Sequence, residues 1–267
     1  MIIERAVTNF EEEELLAPFG FKGGAMNRIW QYSVYLKTRE GQEAVGVGCQ
    51  GVLWSDAKVF ADHSPSAGCA MMYLVTEYAA KLLEGRSFET PWEAFDFLLP
   101  RAVKYAADIT GKKDLRLTFV LNALVGVDQA LWQLYFKMDQ ASSLEQLLPE
   151  NIKNALGYKT SRIGVIPLVS YGVSMKEVKN LADQGFFFFK IKIGADPDRD
   201  GNPEKMLAWD KERIWRIHQT LKDIKTPETE SGRILYYLDA NGRYDHLERI
   251  KELLDYAGEI GMLERIV

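Results

Sequence analysis

The chain has 267 residues, 47% of them apolar, with 33 Lys and Arg against 38 Asp and Glu for a net charge of -5. That length can bury a substantial core over one or two domains, and the acidic balance excludes a general nucleic-acid partner. Cys49 and Cys69 make neither a metal pattern nor a disulfide framework, which fits a reducing, cytoplasmic setting. The opening Met1-Ile2-Ile3-Glu4-Arg5 has no basic stretch leading into an apolar one. The apolar runs read as too short to span a bilayer, so no membrane association is expected.

In chain order, the four glutamates at 11–14 read as a solvated face or turn, and residues 19–25 as a flexible glycine-rich loop. Residues 31–37 and 43–48 flank Arg39-Glu40-Gly41-Gln42 and predict a hairpin. Apolar spacing predicts helices over 67–83, 91–107 and 119–138, the second with Pro91 in its first turn. The third carries Leu121, Leu124, Val125, Ala130, Leu131, Leu134 and Tyr135 on a broad apolar face. Near Gly157 the rhythm changes to strand and helix in alternation. Strands are expected at 163–170, 186–193 and 234–239, and helices from Ser174 to Gln184, over 204–224 and over 245–259, with a polar surface loop at 226–232. Ser174 with Glu177 three residues on forms a capping box. Residues 262–267 begin a fourth strand. Strands alternating with helices imply a parallel sheet with right-handed crossovers.

The letters Gly46-Val47-Gly48-Cys49-Gln50-Gly51 match a dinucleotide fingerprint, but they end a hairpin and Val52-Leu53-Trp54-Ser55 opens no obvious helix. They read as turn and strand glycines. His63, His218 and His246 are scattered without metal-type spacing and read as surface or locally satisfied histidines. The strand ends differ. Phe186-Phe187-Phe188-Phe189-Lys190-Ile191-Lys192-Ile193-Gly194 places two lysines on one face of an otherwise apolar strand, and Ile234-Leu235-Tyr236-Tyr237-Leu238 ends in Asp239-Ala240-Asn241. The carboxyl ends of strands are where an α/β barrel builds its active site. Two clustered ammonium groups lower each other's pKa, which is one way a lysine becomes a general base. Asp239 offers a hard oxygen suited to Mg²⁺.

Lys190-Ile191-Lys192 and Asp239-Ala240-Asn241, in this order behind Gly126-Val127-Asp128-Gln129-Ala130-Leu131-Trp132, resemble the enolase superfamily, in its mandelate racemase and muconate-lactonising branch. The resemblance covers the whole chain. It implies an α+β capping domain over 1–160, followed over 161–267 by the first part of a modified TIM-type β/α barrel. It also implies a Mg²⁺-dependent isomerase or lyase that removes the proton α to a carboxylate: a racemase, epimerase, cycloisomerase or acid-sugar dehydratase. On this resemblance Lys192 is the base, Lys190 its electrostatic and substrate-binding partner, and Asp239 the first metal ligand. Asn241 lines the pocket, and cap segments 19–27 and roughly 50–58 bring Gly23, Met26 and Trp54 to the substrate. The expected partners are a small-molecule carboxylate and further copies of the chain, since an open strand edge promotes association. The departure from the family is that the chain ends where the fourth strand starts, so a truncated barrel is expected. The lysine pair also leaves open a Schiff-base aldolase, and the missing strands an inactive interaction fragment.

Overall fold

The computed structural model describes every residue except 22, 23, 158, 159, 199 and 241, and side chains outside 16–25 and 144. The chain divides into two compact units, Met1–Tyr158 and Lys159–Val267.

The first unit opens with three antiparallel strands in the order β1 (Ile3–Phe21), β2 (Gly24–Thr38) and β3 (Glu43–Gln50). Along β2 burial alternates residue by residue, with Tyr32, Val34 and Leu36 buried, so one face is core and the other is half-solvated. Gly41 makes the turn into β3 with φ of +87°, a conformation most L-residues resist. The short helices α1 (Val52–Ser55) and α2 (Ala57–Asp62) follow, then the long α3 (Pro65–Leu83), α4 (Pro91–Thr110) and α5 (Leu117–Met138), and the single turns α6 (Leu144–Leu147) and α7 (Glu150–Ala155). Helices α3 and α5 lie on the buried face of the sheet and α4 packs against both. Pro91 at the first turn with Thr90 as cap, and Gly111 left-handed at the end with φ of +67°, explain where α4 starts and stops.

The crossing of α5 over the sheet accounts for the glycines of the dinucleotide-like motif. A Cβ on Gly46 would overlap the Gly126 carbonyl oxygen and sit 2.8 Å from the Ala130 nitrogen, and one on Gly48 would enter the Tyr32 ring. Gly126 faces the same ring, at 2.8 Å from where its own Cβ would be. The Tyr32 hydroxyl accepts from the Gly126 N–H at 3.1 Å and donates toward the Asn122 carbonyl at 2.9 Å, and burial pushes this phenol up to about 12. These are packing glycines at a close helix–strand approach. Helix α5 is long and apolar enough to cross a membrane by length and composition alone, which corrects the expectation that every apolar run is too short. Half of its apolar window is buried, and it packs on β2, β3, α3 and α4 as a core helix does.

Of the two expectations for the glutamates at 11–14, the solvated face holds and the turn does not: all four are exposed but lie within β1, paired with Arg28 to Gln31, and Arg28 bridges Glu12 and Glu14. Two further expectations for this unit are corrected. In the segment read as a glycine-rich loop, Phe19, Gly20 and Phe21 pair in a ladder with Met26, Ala25 and Gly24, residues 22 and 23 lying outside the described ones. Cross-strand pairing supplied partners that a local reading of charge and glycine content does not see. Val52-Leu53-Trp54-Ser55, expected to open no helix, forms α1, and just before it Asn122 accepts from the Gly51 N–H and donates to the Cys49 carbonyl.

The second unit repeats strand and helix: β4 (Leu168–Val169), α8 (Met175–Asp183), β5 (Phe188–Lys192), α9 (Pro203–Leu221), β6 (Leu235–Asp239) and α10 (Leu247–Glu259). The strands are parallel in the order β4-β5-β6. Phe189, Ile191 and Tyr236 bury one sheet face with Val178 of α8, Leu207, Ile214 and Ile217 of α9, and Leu253 of α10. The opposite face carries Leu168 and Tyr237, each 40% exposed. The Ser174–Glu177 capping box forms as the spacing predicts. The expected strand over 163–170 is reduced to two paired residues, with Ile163 and Val165 exposed. The expected fourth strand is a 3₁₀ turn over Leu263–Arg265 and one parallel bridge from Ile266 to Tyr236.

Candidate active site

Parallel registry sets the site. Lys190 lies opposite Tyr237 and Lys192 opposite Asp239, all four on the sheet face away from the helices. The ammonium groups of Lys190 and Lys192 converge on the same Asp239 Oδ2, at 2.8 and 2.7 Å. Exposure falls from 32% for the Lys190 side chain to 14% for Asp239 and 10% for Lys192. Lys190 also sits over the Tyr237 ring, 5.0 Å from its centroid. Its pKa is raised, chiefly by the hydrogen bond to Asp239, which outweighs partial burial. For Lys190 that is opposite to the depression expected from a neighbouring ammonium alone, because the carboxylate it shares with Lys192 attracts it.

The loops around this cluster are fixed from α9. Asp210, fully buried, accepts from the Gly194 and Ala195 N–H groups just beyond Lys192 and from the Tyr244 hydroxyl at 2.6 Å. One turn on, Arg213 donates to the Val169, Ser170 and Tyr171 carbonyls after β4. Burial raises the Asp210 carboxyl and lowers the Arg213 guanidinium, while their mutual attraction opposes both shifts. The Tyr171 hydroxyl donates to the Ile193 carbonyl at 3.0 Å. Gly194 has φ of +81° and a Cβ there would lie 2.6 Å from the Arg243 Cβ, so a side chain is excluded on two counts. Thus α9 braces the carboxyl ends of β4 and β5 with an acid and a base three residues apart.

The reading of the sequence missed Asp210, Arg213, Tyr171 and Tyr244. One signal for Asp210 was present: it falls in the apolar stripe Leu207, Ile214, Ile217, Leu221 of α9, where a polar residue needs a buried partner. Of the remaining expected residues, Met26 is half-buried on β2 and Trp54 is 61% exposed on α1, both in the first unit. Gly23 and Asn241 lie outside the described residues. His218 is buried against the Tyr236 hydroxyl at 3.3 Å, a satisfied core histidine.

Asp239 is the hard-oxygen donor beside the lysines, and among the described residues no group of three or more His, Cys, Asp and Glu is placed to hold a metal. A Mg²⁺ site needs more oxygens in octahedral array than this one carboxylate provides.

No protein-family model and no curated protein matches the chain. Solved structures do. The chain is similar to the L-Ala-D/L-Glu epimerase of Bacillus subtilis (18% identity, TM-score 0.62, covering 98% of this chain and 59% of that one). A dipeptide epimerase of Enterococcus faecalis V583, complexed with Mg and the dipeptide L-Leu-L-Tyr, gives 19% identity and a TM-score of 0.58 over 96% and 59%. A mandelate racemase/muconate lactonizing protein of Herpetosiphon aurantiacus gives 14% and 0.61 over 97% and 58%. The class is therefore an antiparallel sheet with helices followed by parallel β/α units. Its fold is that shared with part of these epimerase and mandelate racemase/muconate lactonizing structures. The chain spans about 59% of the length of the epimerase structures it matches.

Proposed function

We propose that this chain supplies the cap and the leading barrel strands of an enolase-superfamily racemase or epimerase acting on a small carboxylate, with the α-proton as the atom moved. The observation that carries the reading is the convergence of Lys190 and Lys192 on Asp239 at the carboxyl ends of adjacent parallel strands. An α-proton next to a carboxylate is a weak acid, so a base must meet it where positive charge holds the developing oxyanions. Lys192, the more buried amine, is the base. Lys190, one pleat back and more open to solvent, holds positive charge against the substrate carboxylate. The bond from Lys192 to Asp239 must break, and Lys192 must lose a proton, before it takes one from carbon. Asp239 would be one ligand of a Mg²⁺ ion, which when bound would supply charge stabilisation of the enediolate. The residues described here do not complete that site, so calorimetry on the 267-residue chain is expected to show no tight stoichiometric Mg²⁺ binding.

The test is α-proton exchange, read by proton NMR in D₂O with Mg²⁺ and dipeptide or N-acyl amino acid substrates, on protein carrying every segment its reading frame encodes. Removal of a positioned base costs about 10²- to 10⁴-fold, so Lys192→Ala should lose exchange from one face while circular dichroism and melting stay unchanged. Lys190→Ala should mainly weaken substrate binding. Exchange at the wild-type rate in Lys192→Ala would remove the base from this lysine and the reading with it.

A further inference from the structure

The first unit holds a cleft between α4 and α5 that the proposed chemistry does not use. It has a volume of about 370 Å³, and its walls include Trp92, Phe95 and Trp132 with two carboxylates, Asp96 and Asp128. Trp92 and Trp132 meet edge to face, with ring centroids 4.6 Å apart at 84°, which leaves aromatic surface turned in two directions. Asp128 and Trp132 are four apart on α5 and therefore share a face, and both line the cleft. No lysine or arginine is among the described residues that line the cleft. Asp128 is half-buried and its carboxyl is raised by desolvation, with no neighbouring cation to offset it.

We propose that this cleft binds a small organic ammonium ion, with its apolar body against Trp92, Phe95 and Trp132 and its charge between Asp96 and Asp128. Three features converge on that occupant. Aromatic faces attract a cation through the ring quadrupole, and tryptophan does so best. Asp96, exposed at the mouth, and Asp128, half-buried, make the cleft anionic, so it attracts an ammonium and repels an anion. The volume lies within the range of small-molecule clefts, about 300 to 1,000 Å³. The inference rests on the first unit alone and does not depend on Lys192 or on any metal.

The experiment is isothermal titration of the 267-residue protein with choline, and in parallel with 3,3-dimethylbutan-1-ol, its neutral isostere. Choline should bind saturably and the neutral alcohol about tenfold or more weaker, because shape is held constant and only the charge is removed. Asp128→Asn should weaken choline by about tenfold, since it removes the counter-charge and keeps the side-chain shape. α-Proton exchange with Lys192 intact should be indifferent to Asp128→Asn, which separates this site from the proposed active site. Equal affinity for choline and the alcohol would reduce the cleft to an apolar groove and overturn the proposal, as would the absence of saturable choline binding. Should Asp128→Asn fail to fold by its melting profile, the isostere comparison on the wild type and Asp96→Asn carry the same decision: either equal isostere binding or unchanged choline affinity in Asp96→Asn refutes it.

Discussion

Asp210→Ala is the sharpest test of how the loops at the lysine cluster are held. Asp210 is fully buried and accepts from the Gly194 N–H and from the Tyr244 hydroxyl at 2.6 Å, with a longer contact from the Ala195 N–H at 3.5 Å. Hydrogen bonds to a charged group contribute about 1.5–3 kcal/mol each, so the two short ones bring the gross loss to roughly 3–6 kcal/mol. Alanine also removes a carboxylate that burial disfavours, and it leaves Arg213 without a nearby counter-charge. The net cost expected is about 2–4 kcal/mol, with Asp210→Asn intermediate because one acceptor oxygen survives. The assay is native-state hydrogen exchange at Gly194 and Ala195, read beside urea unfolding of the whole protein. Both amides should exchange faster in Asp210→Ala, ahead of amides in α5. The pH dependence has a definite sign. Burial raises the Asp210 carboxyl above its unfolded value, so the native state binds this proton more tightly than the unfolded chain does. Its contribution is therefore most favourable below the unfolded pKa and is lost as pH rises through the raised one, and Asp210→Asn should flatten that segment of the profile. Unchanged exchange at Gly194 and Ala195, with stability within about 0.5 kcal/mol of wild type, would show that α9 does not brace this loop.

Two further substitutions test the packing and the caps. Gly46→Ala puts a methyl into the Gly126 carbonyl and against the Ala130 nitrogen, so α5 must lift from β3. Overpacking costs about 1–3 kcal/mol or more, and a calorimetric melt should show Gly46→Ala well below Gly85→Ala, whose Cβ meets nothing within 4 Å and carries only the strain of φ at +76°. Ser174→Ala removes the side chain that accepts from the Glu177 N–H and donates to the Glu177 carboxylate. Loss of such a cap costs about 1 kcal/mol, and hydrogen exchange in the first turn of α8 should rise while α9 is unchanged.

Much of the second unit was readable from local pattern alone. The apolar runs ending in Lys190-Ile191-Lys192 and in Asp239, the capping box at Ser174 and the alternation of periods fix strand, helix and facing, because backbone geometry ties a period of two or of 3.6 residues to one buried face. That Lys190 and Lys192 share a face follows from the pleat; that Asp239 stands level with Lys192 follows from registry, which pairs residues 47 apart. Registry also decided the charge state around Lys190, since the reading from sequence counted the neighbouring ammonium and not the carboxylate across the ladder. The pairing of Glu11 to Glu14 with β2 was hidden for the same reason: four glutamates carry no strand signal, and only the partner strand with Arg28 makes them one. The glycines at 46, 48 and 126 carry no signature separating a phosphate loop from a helix packed onto a strand, and only the Tyr32 ring between them shows which they are. Asp210 and Arg213 complete the division. Each is legible as a helix residue, but apart from the Tyr244 hydroxyl their partners are backbone carbonyl and amide groups 15 to 44 residues away. Backbone donors and acceptors have no side-chain identity for a sequence to display, and only the folded chain brings them within hydrogen-bonding reach.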